Sequence, residues 1–495
     1  MALLLGIDLG TTGCKAALYD EQGTCRGEGY LEYELITLSG SMIEQAPQAW
    51  WQVTCQAVRR ALQAAGGSDR RAVRALAVSS QGISFVLIDQ AGQPLGNAIS
   101  WLDTRASDES AAILRRYPAE QLFAITGKRA SPAYVLPKLL WLRAHRPQLW
   151  RQARRVLLAH DYLVYRLCGE CVTDHSLAGG TLLYDLRTSG WCQELLDAFE
   201  LAPGLLPELC WAGTRVGTLH AQAAAELDLP AQTAVAVGGQ DQKCAGLGAG
   251  LQDGSASVSL GTAAATLQIM DRPHTDPGLR VPTFSYLQPG RWVLEGVIGT
   301  GAGSLRWYRD ALAAGVDYAQ LIEEAGQIAP GAGGVRFYPH LGGATSPHWQ
   351  STARATFHGM SLATGRAHLT RAVLEGVAYQ VRENLNVSQQ LAGPIEQLIV
   401  FGGGARSQLW PAIIGDVNNL PVVWTPNVET AARGAAMLAG LGSGVFSSLD
   451  EARRAMLKGH EPRWPDAANV SRYDQLYQEY CRLETLLLQS VTESS

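Results

Sequence analysis

The sequence contains no apolar run approaching the roughly 20 residues that cross a bilayer, and no basic cluster of the kind that tracks a nucleic-acid backbone. With 40 Lys and Arg against 45 Asp and Glu, the formal charge is −5. A general nucleic-acid binder is excluded, because phosphate backbones need a net basic face. Any phosphate that binds must be held by a local device. The opening stretch, MALLLGIDLG, lacks the basic start of a secretory leader and places Asp8 where the apolar segment would have to continue. The expectation is a cytoplasmic protein without nucleic-acid or membrane partners. If it assembles, a homodimer is the commonest arrangement.

Cysteine is scarce in a second sense. The nine cysteines are scattered and odd in number, which excludes a disulfide framework and leaves reduced, buried thiols as the expectation. Cys168 and Cys171 form a CxxC with His160 and His175 nearby, but no second pair stands at finger-like spacing. The common nucleotide signatures are missing as well. Gly10 and Gly13 do not make GxxxxGK[ST], and neither GLGAG (246–250) nor GTGAG (299–303) gives GxGxxG after a strand. P-loop and dinucleotide-dependent readings fail on this spacing.

What is present is a chain of 495 residues, 47% hydrophobic and 17% charged. A single core stops growing at roughly 250 to 300 residues, so two lobes are expected. Periodicity predicts strands at Leu3–Asp8, Ala16–Tyr19, Cys25–Glu32, Val73–Ser79 and Ile83–Asp89, a helix over Pro47–Ala65, and a mostly helical stretch from Ala106 to Cys168. The division expected is an N-terminal lobe over 1–240, a C-terminal lobe over 241–445 and a helical extension over 446–495, ending in the polar tail VTESS.

The second half echoes the first. SVSLGTAAATLQIMD (Ser257 to Asp271) aligns with LGIDLGTTGCKAALYD (Leu5 to Asp20): apolar strand, Leu-Gly-Thr, small residues, apolar strand, acidic end. A glycine turn between strands points backbone N–H groups at one spot, and threonine hydroxyls add donors, so a neutral hairpin can hold phosphate oxygens. Asp8 suits Mg²⁺, which takes one or two carboxylates beside substrate phosphates. The second hairpin carries Ser259 at that position. A strand from Val235 ends on Asp241, where a carboxylate can accept the proton of an attacking hydroxyl or simply cap a helix. A third glycine cluster, IVFGGGARSQLW (Ile399 to Trp410), follows a strand and opens a helix, bare enough for a flat ring to approach.

With GIDLGTTG, GGQDQKCAG, SLGT and FGGGARSQLW in this order, and ATFHGMSLATGRAHLTRAVLEG (Ala355 to Gly376) besides, the chain resembles the FGGY carbohydrate kinases from about Leu4 to Gly444. The resemblance implies an α/β, two-lobed, actin/hexokinase-like (ribonuclease H-like) fold with a central cleft for ATP and substrate. It implies ATP-dependent phosphorylation of a small sugar, a pentulose such as xylulose or a related ketose or polyol. Asp8 would organise Mg²⁺, and Thr11, Thr12 and Lys15 would lie near the transferred phosphoryl group. Gly261 and Thr262 would hold nucleotide phosphates, Gly403, Gly404, Ala405 and Asn418 would line the adenosine pocket, and Asp241 would be the general base. Sugar contacts would come from Gln81, Trp101, Asp103 and Arg105, beside Asp241. Xylulokinase-type members tend to have QMHG where this chain has Gln81-Gly82-Ile83-Ser84, Asn-Asp where it has Leu102-Asp103, and Glu-Arg where it has Ala344-Thr345. A non-catalytic or chaperone-like ATPase or nucleotide sensor of the same superfold is the alternative.

Overall fold

The computed structural model describes residues 2–492 apart from 67, 426–428, 458 and 460. It is built on two six-stranded sheets. The first comprises β1 (Leu3–Leu9), β2 (Gly13–Asp20), β3 (Cys25–Glu32), β4 (Val73–Ser80), β5 (Arg215–Thr218) and β6 (Ala234–Gln240), in the order β5-β6-β4-β1-β2-β3. The second comprises β7 (Ser255–Leu260), β8 (Ala264–Met270), β9 (Thr283–Ser285), β10 (Trp292–Ile298), β11 (Gln397–Phe401) and β12 (Val422–Trp424), in the order β9-β10-β8-β7-β11-β12.

The two share one plan. In each, a three-stranded antiparallel meander (β1-β2-β3; β7-β8-β10) gives its first strand to a parallel partner (β4; β11), which pairs in parallel with a fifth (β6; β12). The hairpin echo in the sequence is therefore a topological echo: β1–β2 and β7–β8 occupy the same place in their sheets. The central strands β1 (LLLGIDL) and β7 (SASVSL) are buried almost throughout because both of their faces are covered, the second with serines alternating among its small and apolar residues.

Five helices matter for the site and its surroundings. α1 (Pro47–Ala64) covers β2 and β3 on one face of the first sheet. On the other face, α2 (Asp241–Ala249), which leaves β6, runs against α5 (Thr430–Gly442), which packs on β1, β4 and β6; α3 (Arg366–Ala392) and α4 (Leu409–Asn418) pack together beside the second sheet. The core between α2, α5 and the first sheet is rich in small residues, Ala75, Ala77, Ala236, Ala432, Ala435 and Ala436 among them. The backbones touch there. A Cβ on Gly434 would collide with the Cys244 carbonyl, and one on Gly248 with the Thr430 carbonyl. Gly434→Ala is accordingly expected to cost about 1–3 kcal/mol through forced backbone shifts, read as a lower denaturation midpoint.

A third, five-stranded sheet (Ile36–Ser39, Met42–Gln45, Ala98–Ile99, Phe85–Ile88, Arg155–Leu158) carries the loops after β4 and before residue 106. Two sequence expectations change here. The strand expected from Ile83 starts at Phe85, because Ile83 adopts a left-handed φ of 56°. The stretch 106–168 also contains the strand Arg155–Leu158, a four-residue apolar run that periodicity cannot tell from helix. The last helix, α6 (Ala467–Thr492), reaches into the polar tail, whose residues 493–495 lie outside the described residues.

Candidate active site

Strand register builds the site. In the first sheet Asp8 pairs with Ser79, and Ser79 with Gly239, so β1, β4 and β6 end together. The residues that follow, the Gly10–Gly13 turn, Gln81 and Asp241, are thereby delivered to one sheet end. Ser79 Oγ donates to Asp8 Oδ1 at 2.8 Å. Burial pushes the Asp8 carboxyl up to about 6, against that hydrogen bond. Burial and then the Asp8 charge push Asp241 up to about 7, opposed by Lys243. A carboxyl raised by burial and by a second carboxylate delivered to the same sheet end is the pattern of a functional site.

Asp241 is not the helix cap. Gln240 takes that position, its Oε1 accepting from the Gln242 and Lys243 amides, and its Nε2 donates to Asp241 Oδ1. Asp241 accepts from the Gln242 amide at 2.7 Å. The glutamine thus does the structural work that could have occupied the aspartate, and it holds the carboxylate in place.

Both glycine turns are tied by their carbonyls. Gly13 O accepts from the Gly10 amide (2.9 Å), Thr11 O from Gln45 Nε2 (2.7 Å) and Thr12 O from the Tyr33 amide (3.0 Å). In the second sheet, Gly261 O accepts from the Ala302 amide (2.7 Å) and Thr262 O from the amides of Gly301 (2.9 Å) and Gly303 (3.0 Å). Turning the acceptors into the protein is what a phosphate-facing turn requires, since an outward carbonyl would repel the anion. An open cavity of about 320 Å³ is lined by Asp8, Gly10 to Gly13, Lys15, Tyr30 and Glu429.

The third glycine cluster lies beside the second turn. Because β7 and β11 are parallel with Ser259 opposite Phe401, Gly402–Ala405 emerge next to Leu260–Thr262. Gly402 takes a φ of 94°, and a Cβ on Gly404 would stand 2.8 Å from that of Leu260. Asn418 ends α4, its Nδ2 donating to the Ile414 carbonyl at 2.8 Å. Ser259, in the place corresponding to Asp8, donates to Gln242 Oε1 at 3.0 Å. That bond ties the second sheet to the residue after Asp241.

The residues expected to touch sugar separate into two groups. Trp101 is 40% exposed and donates from Nε1 to Thr11 Oγ1 at 2.9 Å. Gln81, Asp103 and Arg105 are held inside. Gln81 bonds Tyr33, Gln45 and Ser84. Arg105 Nε straddles both Asp103 oxygens at 3.0 and 2.9 Å, and its Nη2 reaches Glu44 at 2.8 Å. These three are committed to the protein and brace the loop that presents Trp101.

Several pairings escaped sequence reasoning. Lys15 is ion-paired with Glu429, at the start of α5, and faces Glu28 at 3.7 Å. Lys243 is buried against Glu295 of β10. Two residues after Asp241 on a helix, Lys243 has no periodic relation to it, and no spacing signal links it to a strand 52 residues on. Lys243→Met should lose about 3–5 kcal/mol of stability, because Glu295 is left buried and alone. It should also move the acid limb of the pH–rate profile upward, because the cation that opposes Asp241 protonation is gone. Denaturation and pH-dependent kinetics check the two separately.

The CxxC does not gather its histidines. His160 bonds Asp161 and accepts from the Gly238 amide, while His175 stacks on Trp211 and bonds Tyr184. Burial pushes the Cys168 thiol up to about 11. No described helix is long and apolar enough to cross a membrane.

Comparison with known proteins agrees across the whole chain. Residues 3–248 match the FGGY family of carbohydrate kinases, N-terminal domain, and residues 256–443 its C-terminal domain. Xylulose kinase of Bacillus subtilis (strain 168) is 31% identical over 486 residues, covering 98% of this chain and 97% of that protein. Xylulose kinase of Escherichia coli (strain K12) is 32% identical over 492 residues, 98% of this chain and 99% of that protein. The solved xylulose kinase of Rhodospirillum rubrum superposes with a TM-score of 0.90 at 28% identity, over 99% of this chain and all of that one. Two sheets of one plan, paired glycine turns with their carbonyls tied into the protein, and matches to both family domains lead to one conclusion: the chain belongs to the FGGY family of carbohydrate kinases and is an ATP-dependent sugar kinase.

Proposed function

We propose that the sugar is a pentulose of the xylulose type, with Asp241 as general base and Asp8 as the carboxylate that holds Mg²⁺ through water. The observation that carries the mechanism is the delivery of Asp8 and Asp241 to one sheet end by strand register. The full-length likeness to proteins named xylulose kinase supports the substrate class. The residues suit the ion: Asp8, Asp241 and the Ser79 hydroxyl present only oxygen, as a hard cation requires. When bound, Mg²⁺ supplies charge neutralisation at the transferring phosphoryl group.

In this reading Thr11, Thr12 and Lys15 face the transferred group, and Gly261 and Thr262 hold the remaining phosphates. Gly403, Gly404, Ala405 and Asn418 line the adenosine pocket. Trp101 and Asp241 contact the sugar directly, while Gln81, Asp103 and Arg105 fix the Trp101 loop. Asp241, raised to about 7, takes the proton of the attacking hydroxyl. Residues 1–240 form the sugar-binding lobe, 241–445 the nucleotide-binding lobe and 446–495 a helical extension.

A coupled assay of ketoses and polyols with MgATP tests the substrate. The highest kcat/KM is expected with a pentulose; a hexulose or polyol preferred over every pentulose would overturn the assignment. The strained Ile83 backbone sits in the loop after β4, where xylulokinase-type members carry a different motif, so the panel has to include sugars differing at each hydroxyl.

A further inference from the structure

A second cluster of ionisable side chains lies among residues that take no part in the cleft. His348, in the segment after the short strand Arg336–Tyr338, meets Glu383 of α3 and Glu484 of α6, and one ligand atom from each lies within 4.8 Å of the others. The two glutamates are 8% and 1% exposed. The His348 side chain retains 28% exposure, which leaves the group a route to solvent.

Two buried carboxylates facing each other are costly unless a cation joins them. The base that reaches both is His348, whose Nε2 stands 3.4 Å from Glu383 and 3.5 Å from Glu484. That Glu484 oxygen, Oε2, is fully buried and, apart from the ion-pair contact with His348, accepts no hydrogen bond. Its other oxygen is fixed by His340 Nε2 and Gln380 Nε2, each at 2.8 Å, and Gln380 also donates to Glu383. The carboxylates are thus oriented from behind, and one acceptor atom is left pointing at the gap. Outer partners that aim inner ligands are the arrangement of a metal centre.

We propose that His348, Glu383 and Glu484 form a binding site for one divalent ion of the zinc class, sharing no residue with the Asp8–Asp241 cleft. One imidazole nitrogen with two carboxylates suits zinc and its first-row neighbours, whereas Mg²⁺ prefers oxygen alone. Ligands of a single ion at about 2.0–2.2 Å lie no more than about 4.4 Å apart, so the cluster needs only a slight contraction. The ion would pin α6 and the His348 segment to α3.

The test uses the full chain, stripped with a chelator and dialysed against Zn²⁺ in excess Mg²⁺, with bound metal measured by elemental analysis. One zinc per chain is expected, with affinity at least about tenfold weaker in His348→Ala, a partly exposed position, and in Glu383→Gln. Co²⁺ in place of Zn²⁺ should give visible d–d bands without the near-ultraviolet thiolate band that Cys168 and Cys171 would produce. The site does not exist if the native chain retains no zinc, or if it binds zinc as tightly after His348→Ala. A thiolate band that survives both substitutions would likewise assign the metal to cysteines and overturn the proposal.

Discussion

Asp241→Asn is expected to lower the rate of sugar phosphorylation by about 10²–10⁴-fold, the contribution of a positioned general base, while ATP affinity changes little. The substitution keeps the size and hydrogen-bonding reach of the side chain and removes only its capacity to take a proton. The helix should not suffer, because Gln240 provides the cap. The loss therefore belongs to chemistry rather than folding. Calorimetric titration with ATP beside steady-state kinetics separates binding from turnover, and a variant that retains near-full turnover with its best sugar would remove Asp241 from the role of base.

Asp8→Asn carries the second large effect. Here the loss should fall on Mg²⁺-dependent transfer, by roughly 10²-fold or more, since charge neutralisation by the metal is worth several kcal/mol. The Ser79 hydroxyl can still donate to the amide oxygen, so β1 and β4 stay in register and the fold persists. Asp241 should respond as well. With the neighbouring negative charge gone, its carboxyl titrates lower than about 7, so whatever activity remains extends further to the acid side. A Mg²⁺ titration of the variant reads the first effect, and its pH profile the second. A fully active Asp8→Asn protein would sink the metal assignment.

Much of this was legible in the sequence because the relevant devices are local. A hairpin with a glycine turn is written in about fifteen consecutive residues, and the chain writes it twice, at Leu5 to Asp20 and Ser257 to Asp271. Strand ends also mark themselves, so Asp8 and Asp241 could be singled out as carboxylates ending apolar runs. What could not be read is anything that depends on two distant segments meeting. Lys243 with Glu295, Lys15 with Glu429, and Ser259 with Gln242 are each joined only by the fold. The same limit explains Asp103 and Arg105. Their types suit a sugar pocket, but Glu44, brought alongside by pairing between Met42–Gln45 and Ala98–Ile99, completes an ion-pair network that buries them. The cap question was likewise undecidable, because Gln240 is an uncommon N-cap and Asp241 a common one.

The most direct test of the mechanism is the single-turnover rate of phosphoryl transfer, followed from about pH 5 to about pH 9 with MgATP and the best sugar. Single turnover isolates the chemical step from product release. With Asp241 as base, the rate should rise about tenfold per pH unit on the acid side, level off above pH of about 7, and show the limb displaced to higher pH in Lys243→Met. A rate that stays level across the whole range in the native protein would contradict the assignment of Asp241 as the group that accepts the proton.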